Sequence, residues 1–375
     1  MIIAIFTSEL VEERGLAGPN SGILEVTSAK LRAKLTLERS TPESPHVSTT
    51  NAVDDLELEV RTYADRFQQL VNNVERVIHG KTREIRLAFL CMLAQGHLLI
   101  DDVPGTGKTS LARALAESVD GTLTRIQFTP DLLPTDVTGV QIFNQSNSEF
   151  EFHPGAVFAN VVLADEINRA SPKTQSSLLE VMEEYQVTVD GVPRPVPNPF
   201  LVVATQNPVE HDGTYALPEA QIDRFMMRLT IGYPSAVAEI DIIDSAPAGR
   251  TRIDVEPVLS TEEVRQMARV ADLIYISPAV RQYIVSIVRA TRELPELRIG
   301  VSPRGSIALG RTARALAAAN GRPFVTADDV KDLTESVLAH RMLLKPESEF
   351  EGIDSIELLR AVLAEIPTPK ERVER

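Results

Sequence analysis

Tryptophan is absent from this chain of 375 residues, and cysteine occurs once, at Cys91. A single thiol excludes a disulfide framework and fits a reducing compartment, so a cytoplasmic setting is expected. Cys91 falls in an amphipathic stretch and reads as a small core residue. No apolar run approaches the roughly 20 residues of a membrane span, so none is expected. The opening MIIAIF has no cationic residues before it and meets Glu9, Glu12 and Glu13 at once, which is not the build of a signal peptide. Basic residues are also scarce relative to acids, 38 against 53, for a net charge of −15. A general nucleic-acid surface needs clustered Lys and Arg, so a nucleic-acid partner is not expected. The six histidines, His46, His79, His97, His153, His211 and His340, lie far apart without ligand spacing, and no structural zinc is expected. No internal repeat is evident.

What is there centres on LLIDDVPGTGKTSLARAL, Leu98 to Leu115. An apolar run with the character of a buried strand meets two aspartates, passes through a glycine-containing loop and restarts as an amphipathic helix. This is the layout of a phosphate cradle. Backbone N–H groups between Pro104 and Thr109 can face phosphate oxygens, and the helix N-terminus adds partial positive charge, so Pro104, Gly105, Thr106, Gly107, Lys108, Thr109 and Ser110 are the candidate nucleotide-binding residues. Lys108 supplies a full charge near the β- and γ-phosphates, and Thr109 is placed to hold Mg²⁺. The full G-x-x-x-x-G-K-[ST] pattern wants glycine where this chain has Asp102. The loop alone therefore leaves open a chance glycine-rich turn before a helix.

Along the chain, residues 1–55 mix short apolar pieces with RSTPESPHVSTTN and read as a flexible N-terminal extension. Helical periodicity runs from Leu56 through Phe67, Leu70, Val71 and Val74 toward His79-Gly80. A second helix carries Ile85 to Leu93 and is expected to stop at Gly96 as its C′ residue. TLTRIQF reads as a second strand, and ANVVLA as a buried parallel strand ending at Asp165-Glu166. Ser171-Pro172 opens a helix, Asp190-Gly191 between valines marks a hairpin turn, and FLVVATQN is a further buried strand ending at Asn207. A fifth strand is expected around Met226 to Ile231. Beyond Thr251 the pattern becomes helical. Ser260 with Glu263 and Thr326 with Asp329 form capping boxes, and Ser277-Pro278 and Ser302-Pro303 are helix starts.

Parallel strands joined by right-handed crossovers end on one side of their sheet, where ligands gather. The strands ending at Asp101, Asp165 and Asn207 thus deliver their polar tails beside Lys108. Asp165 follows an aliphatic run, as a carboxylate reaching Mg²⁺ from a buried strand must. Glu166 can orient or deprotonate a water aimed at the γ-phosphate, and Asn207 can hydrogen-bond that water or the phosphate.

VPGTGKT, LADEINRAS, ATQNP and LPEAQIDRF together resemble the Walker A, Walker B, sensor 1 and arginine-finger regions of AAA+ ATPases, specifically the MoxR family. The resemblance runs from about Val74 to Phe225 and more loosely to Leu343. It implies an α/β fold: a P-loop AAA+ parallel five-stranded sheet flanked by helices over 56–250, a small all-helical C-terminal lid over 251–345, and a helical tail over 346–375. It also implies ATP and Mg²⁺ as cofactors. Lys108 and Thr109 match the Walker A pair, Asp165 and Glu166 the Walker B metal residue and catalytic base, and Asn207 sensor 1. Arg224 in DRF is similar to the finger acting on a neighbour's ATP, Arg304 in SPRGS to the sensor 2 arginine, and Arg169 to a subunit-interface contact. Pro130 to Pro154 would be the helix-2 insert, VTVDGVPRPV the pre-sensor hairpin, and Val77 to Gly80 would lie near the adenine.

The implied function is ATP hydrolysis in a homo-oligomeric ring, expected to be hexameric, coupled to chaperone-like remodelling or maturation of a protein client. A partner with a von Willebrand factor A domain is the expected class. Two rival functions on the same core are a nucleic-acid motor or transcription regulator and a non-hydrolysing nucleotide-gated scaffold. The first would need a basic tract or DNA-binding helix pair, neither of which is evident, and the second fits poorly with both Glu166 and Arg224.

Overall fold

A computed structural model of the chain describes residues 49–103, 105–207, 215–245 and 255–369. Residues 56–369 cluster into one compact unit. The expected flexible extension therefore lies outside the described residues, except that helix α1, Thr49–Glu75, already begins inside it. Leu56, Val60, Tyr63, Phe67, Leu70 and Val74 recur at three- and four-residue steps along α1, and all are at most 2% exposed. That stripe fixes which face of the helix is buried. Helix α2, Thr82–Leu93, buries an almost continuous run from Leu87 to Leu93 that includes Cys91. Burial pushes the Cys91 thiol well above its usual range.

The end of α2 departs from expectation. Gln95, not Gly96, takes the left-handed conformation, with φ of 54°. Gly96 is needed for a different reason: a Cβ there would collide with the side chain of Met226.

The central sheet has five parallel strands in the order β2-β5-β8-β1-β9. They are β1 Leu98–Asp101, β2 Leu123–Gln127, β5 Val161–Asp165, β8 Leu201–Gln206 and β9 Met227–Leu229. The last is shorter than the expected Met226 to Ile231. Val161 to Ala164 and Leu201 to Ala204 are fully buried, as the β-branched and aliphatic runs demand of strands covered on both faces. Helix α3, Lys108–Ser118, connects β1 to β2. Two antiparallel hairpins branch from this layer: β3 Gly139–Asn144 with β4 Glu149–Pro154, and β6 Gln186–Val189 with β7 Val192–Pro195. Asp190 and Gly191 at the second turn both have positive φ, 50° and 78°, which gives the tight turn that its Asp-Gly signature predicts. The Arg194 guanidinium stacks 4.0 Å from the Phe152 ring centre and joins the two hairpins. A short helix α4, Pro134–Thr138, precedes the first hairpin, and α5, Pro172–Glu184, precedes the second.

Helices α6 Glu219–Ile222 and α7 Ala236–Ser245 flank β9, and the helical segment follows. It comprises α8 Thr261–Leu273, α9 Pro278–Thr291, α10 Pro303–Ala319, α11 Ala327–Leu338, α12 Pro346–Phe350 and α13 Ser355–Glu365. Both expected capping boxes form. The segment is not purely helical: β10, Leu297–Ile299, pairs antiparallel with β11, Leu343–Leu344. Strands of two and three residues carry too few alternations to register as a period-2 pattern. No described helix is long and apolar enough to cross a membrane.

Candidate active site

The loop after β1 is shaped by two glycines in left-handed conformations, Gly105 at φ 86° and Gly107 at φ 89°. A Cβ at either would meet nothing within 4 Å, so both glycines face open space. Gly107 is also the N-cap of α3, and no side chain caps that helix. Its first amides are left for another acceptor, which is the condition for an anion site. Lys108 Nζ donates to the carbonyls of Asp102 at 2.8 Å and Val103 at 3.2 Å, folding its charge across the loop.

Asp102, the residue that breaks the glycine pattern, is 5% exposed and fully engaged. Its Oδ1 accepts from the Val103 amide at 2.8 Å and its Oδ2 from the Gly232 amide at 2.6 Å. The aspartate ties the loop to the segment after β9, a role that the glycine pattern gave no hint of. The same segment receives Lys81 Nζ at the Ile231 and Tyr233 carbonyls, and Gly80 lies against Ala238. The half-buried turn of Val77, Ile78 and His79 is therefore brought to this side of the loop.

Strand order sets β5, β8 and β1 side by side, about 4.8 Å apart, with Asp165, Asn207 and Lys108 at or just beyond their carboxyl ends. Asp165 Oδ1 accepts from Thr205 Oγ1 at 2.6 Å, and Oδ2 pairs with Arg125 of β2 at 2.6 Å. Glu166 has φ of 55°, a strained conformation for a residue with a Cβ. It is held there by its amide, which donates to Thr205 Oγ1 at 2.9 Å. Glu166 Oε2 accepts from Gln127 Nε2 at 2.7 Å and from Arg169 at 2.9 Å. Arg169, expected at a subunit boundary, thus pairs with Glu166 of its own chain. Asn207 is 6% exposed. Burial raises the pKa of Asp101, opposed by Arg228 and Lys108.

These residues fit a magnesium nucleotide. The uncapped helix, open glycine loop and lysine suit phosphate oxygens, while Thr109 and Asp165 offer the hard oxygen donors that Mg²⁺ takes.

Arg224 and Arg304 lie elsewhere. The register pairs Leu98 of β1 with Met227 of β9 in parallel, so Arg224, three residues before β9, sits at the amino end of the sheet. Lys108 lies beyond the carboxyl end of the same strand pair. Arg224 meets Glu183 Oε2 at 3.1 Å, and Arg304 meets Glu183 Oε1 at 2.5 Å. They line a cleft of about 210 Å³ with Arg311, Arg341, Asp223 and His97. Buried Arg341 pairs with the Asp223 carboxylate and donates to the Phe225 carbonyl at 2.7 Å, while Ser302 Oγ donates to Asp223 at 2.9 Å. The helical segment is thereby clamped onto the Asp223-Arg224-Phe225 motif. Nearby His97 spends both ring nitrogens on backbone partners, Met182 O and the Val202 amide, and burial lowers its pKa to about 4.

Comparison with known proteins agrees with this architecture. Residues 97–227 match the ATPase family associated with various cellular activities (AAA), and residues 289–362 match an AAA lid domain. The chain is 38% identical to Chaperone MoxR1 of Mycobacterium tuberculosis over 87% of each chain. It belongs to the MoxR family of AAA+ ATPases. It is also 48% identical to the uncharacterized protein YeaC of Bacillus subtilis, over 80% of this chain and 94% of that one. A crystal structure of a candidate ATPase from Cytophaga hutchinsonii superposes with a TM-score of 0.80 at 36% identity, covering 85% of this chain and 99% of that one. Within this MoxR-family frame, motif reading missed Arg125, Gln127, Thr205 and Glu183. The first three had a readable signal, polar residues near the ends of predicted strands beside the Walker B acids. Glu183 had none, because an acid on a helix is ordinarily just solvated.

Proposed function

We propose that this chain hydrolyses ATP with Mg²⁺ in a closed ring of its own copies, six being the expected number, and uses the cycle to remodel or mature a protein partner. The observation that carries this reading is the division of the site. The phosphate loop and the Walker B acids stand at the carboxyl end of the sheet, and Arg224 and Arg304 at the amino end. No rotamer change carries an arginine from one end of a β-strand to the other. In this reading the arginines serve a nucleotide held by another copy, and a head-to-tail contact of that kind forms a ring when its rotation closes.

In this reading the bound magnesium nucleotide supplies the anhydride bond and the cation that neutralises its charge. Lys108 leaves the carbonyls of Asp102 and Val103 for phosphate oxygens, while the α3 amides hold the same group. Asp165 and Thr109 hold the cation, which requires Arg125 to release Asp165. Glu166, freed from Gln127 and Arg169, accepts a proton from water at its carboxylate. Asn207 orients that water or the phosphate. Arg224 and Arg304 of the adjoining copy meet the charge that develops as the bond breaks.

The test is phosphate release per protomer across a dilution series, with light scattering on the same samples. The expected result is Mg²⁺-dependent turnover that appears together with the oligomer; turnover that stays constant down to the monomer would sink the divided site. For the partner, a protein with a von Willebrand factor A domain should be retained by immobilised Glu166→Gln chain in ATP and released in ADP. Equal retention in the two nucleotides would reject coupling to the cycle.

A further inference from the structure

One carboxylate serves both arginines. Each oxygen of Glu183 takes a different guanidinium, Oε1 that of Arg304 and Oε2 that of Arg224. Two oxygens of a phosphoryl group present the same pattern. The cleft around them is lined by four arginines, Arg224, Arg304, Arg311 and Arg341, against two carboxylates, Glu183 and Asp223. Asp223 is committed to Arg341 and Ser302. The excess is positive, and Arg224 Nε is buried with no hydrogen-bond partner. His97 lines the same cleft but stays neutral, because burial keeps its pKa near 4. Glu183 offsets the repulsion between the two guanidiniums it joins.

The bridge has little to do with folding. The Glu183 and Arg304 side chains are 41% and 49% exposed, and exposed ion pairs contribute little to stability. What the bridge does is geometric. α5 starts after β5 at the carboxyl end and runs back for about 20 Å, its length at 1.5 Å per residue, so that Glu183 in its last turn reaches the amino end. There it fixes the directions of one arginine from the sheet layer and one from the helical segment.

We propose that Glu183 is a positioning residue for the arginine pair: it holds Arg224 and Arg304 aimed into the cleft for the terminal phosphoryl group of a nucleoside triphosphate bound by the adjoining copy. The proposal rests on the divided site described above.

The experiment compares full-length parent, E183A, E183Q, R224A, R304A and the R224A/E183A double variant, at protein concentrations where each is assembled. Steady-state phosphate release gives kcat and KM, and thermal unfolding is followed alongside. E183A should lower kcat by about tenfold or more, the scale set by a misaimed catalytic group, with KM for ATP within about twofold and the unfolding temperature unchanged. E183Q, which keeps one acceptor oxygen, should fall between. In the R224A background, E183A should cost clearly less than it does in the parent, because only Arg304 is left for it to position. A parental kcat in E183A alongside slow R224A and R304A would overturn the role of Glu183 and leave the divided site standing. Losses that add in the double variant would overturn it too, by assigning Glu183 an effect independent of Arg224. Parental turnover in R224A and R304A would remove both the divided site and this proposal.

Discussion

The two ends of the central sheet handle charge in opposite ways. At the carboxyl end, reactive groups are held back by neighbours in their own chain: Lys108 by loop carbonyls, Asp165 by Arg125, Glu166 by Gln127 and Arg169. The loop beneath them is open, with room above both glycines. At the amino end, arginines surround a cleft and share the few acids available, Glu183 and Asp223. The carboxyl end offers an open anion site with its acids already paired, and the amino end has cations in excess. In the proposed ring each copy would contribute half of two sites, and the complementarity of those halves would be a reason to assemble.

The hardest test of that contrast mixes two damaged chains. Lys108→Ala should disable the carboxyl end, and Arg224→Ala should lower turnover about 10³- to 10⁵-fold by disabling the amino end. Mixed in equal amounts, they should regain measurable phosphate release, since some contacts then join an intact loop to an intact arginine. A mixture no faster than its components would break the comparison. Glu166→Gln should reduce turnover about 10²- to 10⁴-fold while calorimetric titration still registers ATP binding, confining its defect to the carboxyl end.

Stability sharpens the contrast further. His97 is buried neutral at the amino end, with a pKa lowered to about 4. Between that value and its ordinary 6.5 the unfolded chain binds a proton that the folded chain refuses, so stability is complete above pH 6.5 and declines toward pH 4. The decline is about 3 kcal/mol from this residue, at 1.36 kcal/mol per pKa unit. Urea midpoints at pH 7.5 and pH 5 capture about 2 kcal/mol of it, the part that falls between pH 6.5 and 5; a His97→Gln chain with an undiminished pH slope would remove His97 as the source. At the carboxyl end, Asp102→Ala leaves the Gly232 amide without its acceptor and should cost about 1–3 kcal/mol, with weaker binding of a fluorescent ATP analogue. Unchanged affinity would mean that the tie does not shape the loop. The smallest effect belongs to a site remote from both ends: Arg360→Ala, breaking the exposed pair with Glu335, should leave the urea midpoint unchanged.

Much of the fold was legible because its signals are local. The stripe of Leu56, Phe67, Leu70 and Val74, the run VVLAD and the boxes Ser260/Glu263 and Thr326/Asp329 each follow from steric and hydrogen-bonding rules acting within a few residues. Gly96 misled because its cause is remote: it makes room for Met226, which lies 130 positions along the chain. The β10–β11 pair was hidden because each strand is too short to show alternation. Asp102 was read as a flaw in a motif, and the partner that explains it, Gly232, is equally distant in sequence.

Local pattern by itself therefore determined the strand-loop-helix of the glycine loop, the acids ending a buried strand, and membership of the MoxR family of AAA+ ATPases. These depend on residue type at fixed spacing. Only the tertiary structure decided which groups face one another. Parallel pairing of β1 with β9 sends Lys108 and Arg224 to opposite ends, and the length of α5 brings Glu183 between two arginines that are 80 residues apart in sequence. Spacing along a chain encodes local geometry, but the meeting of distant charges is set by strand order and helix length, which arise only when the whole domain packs.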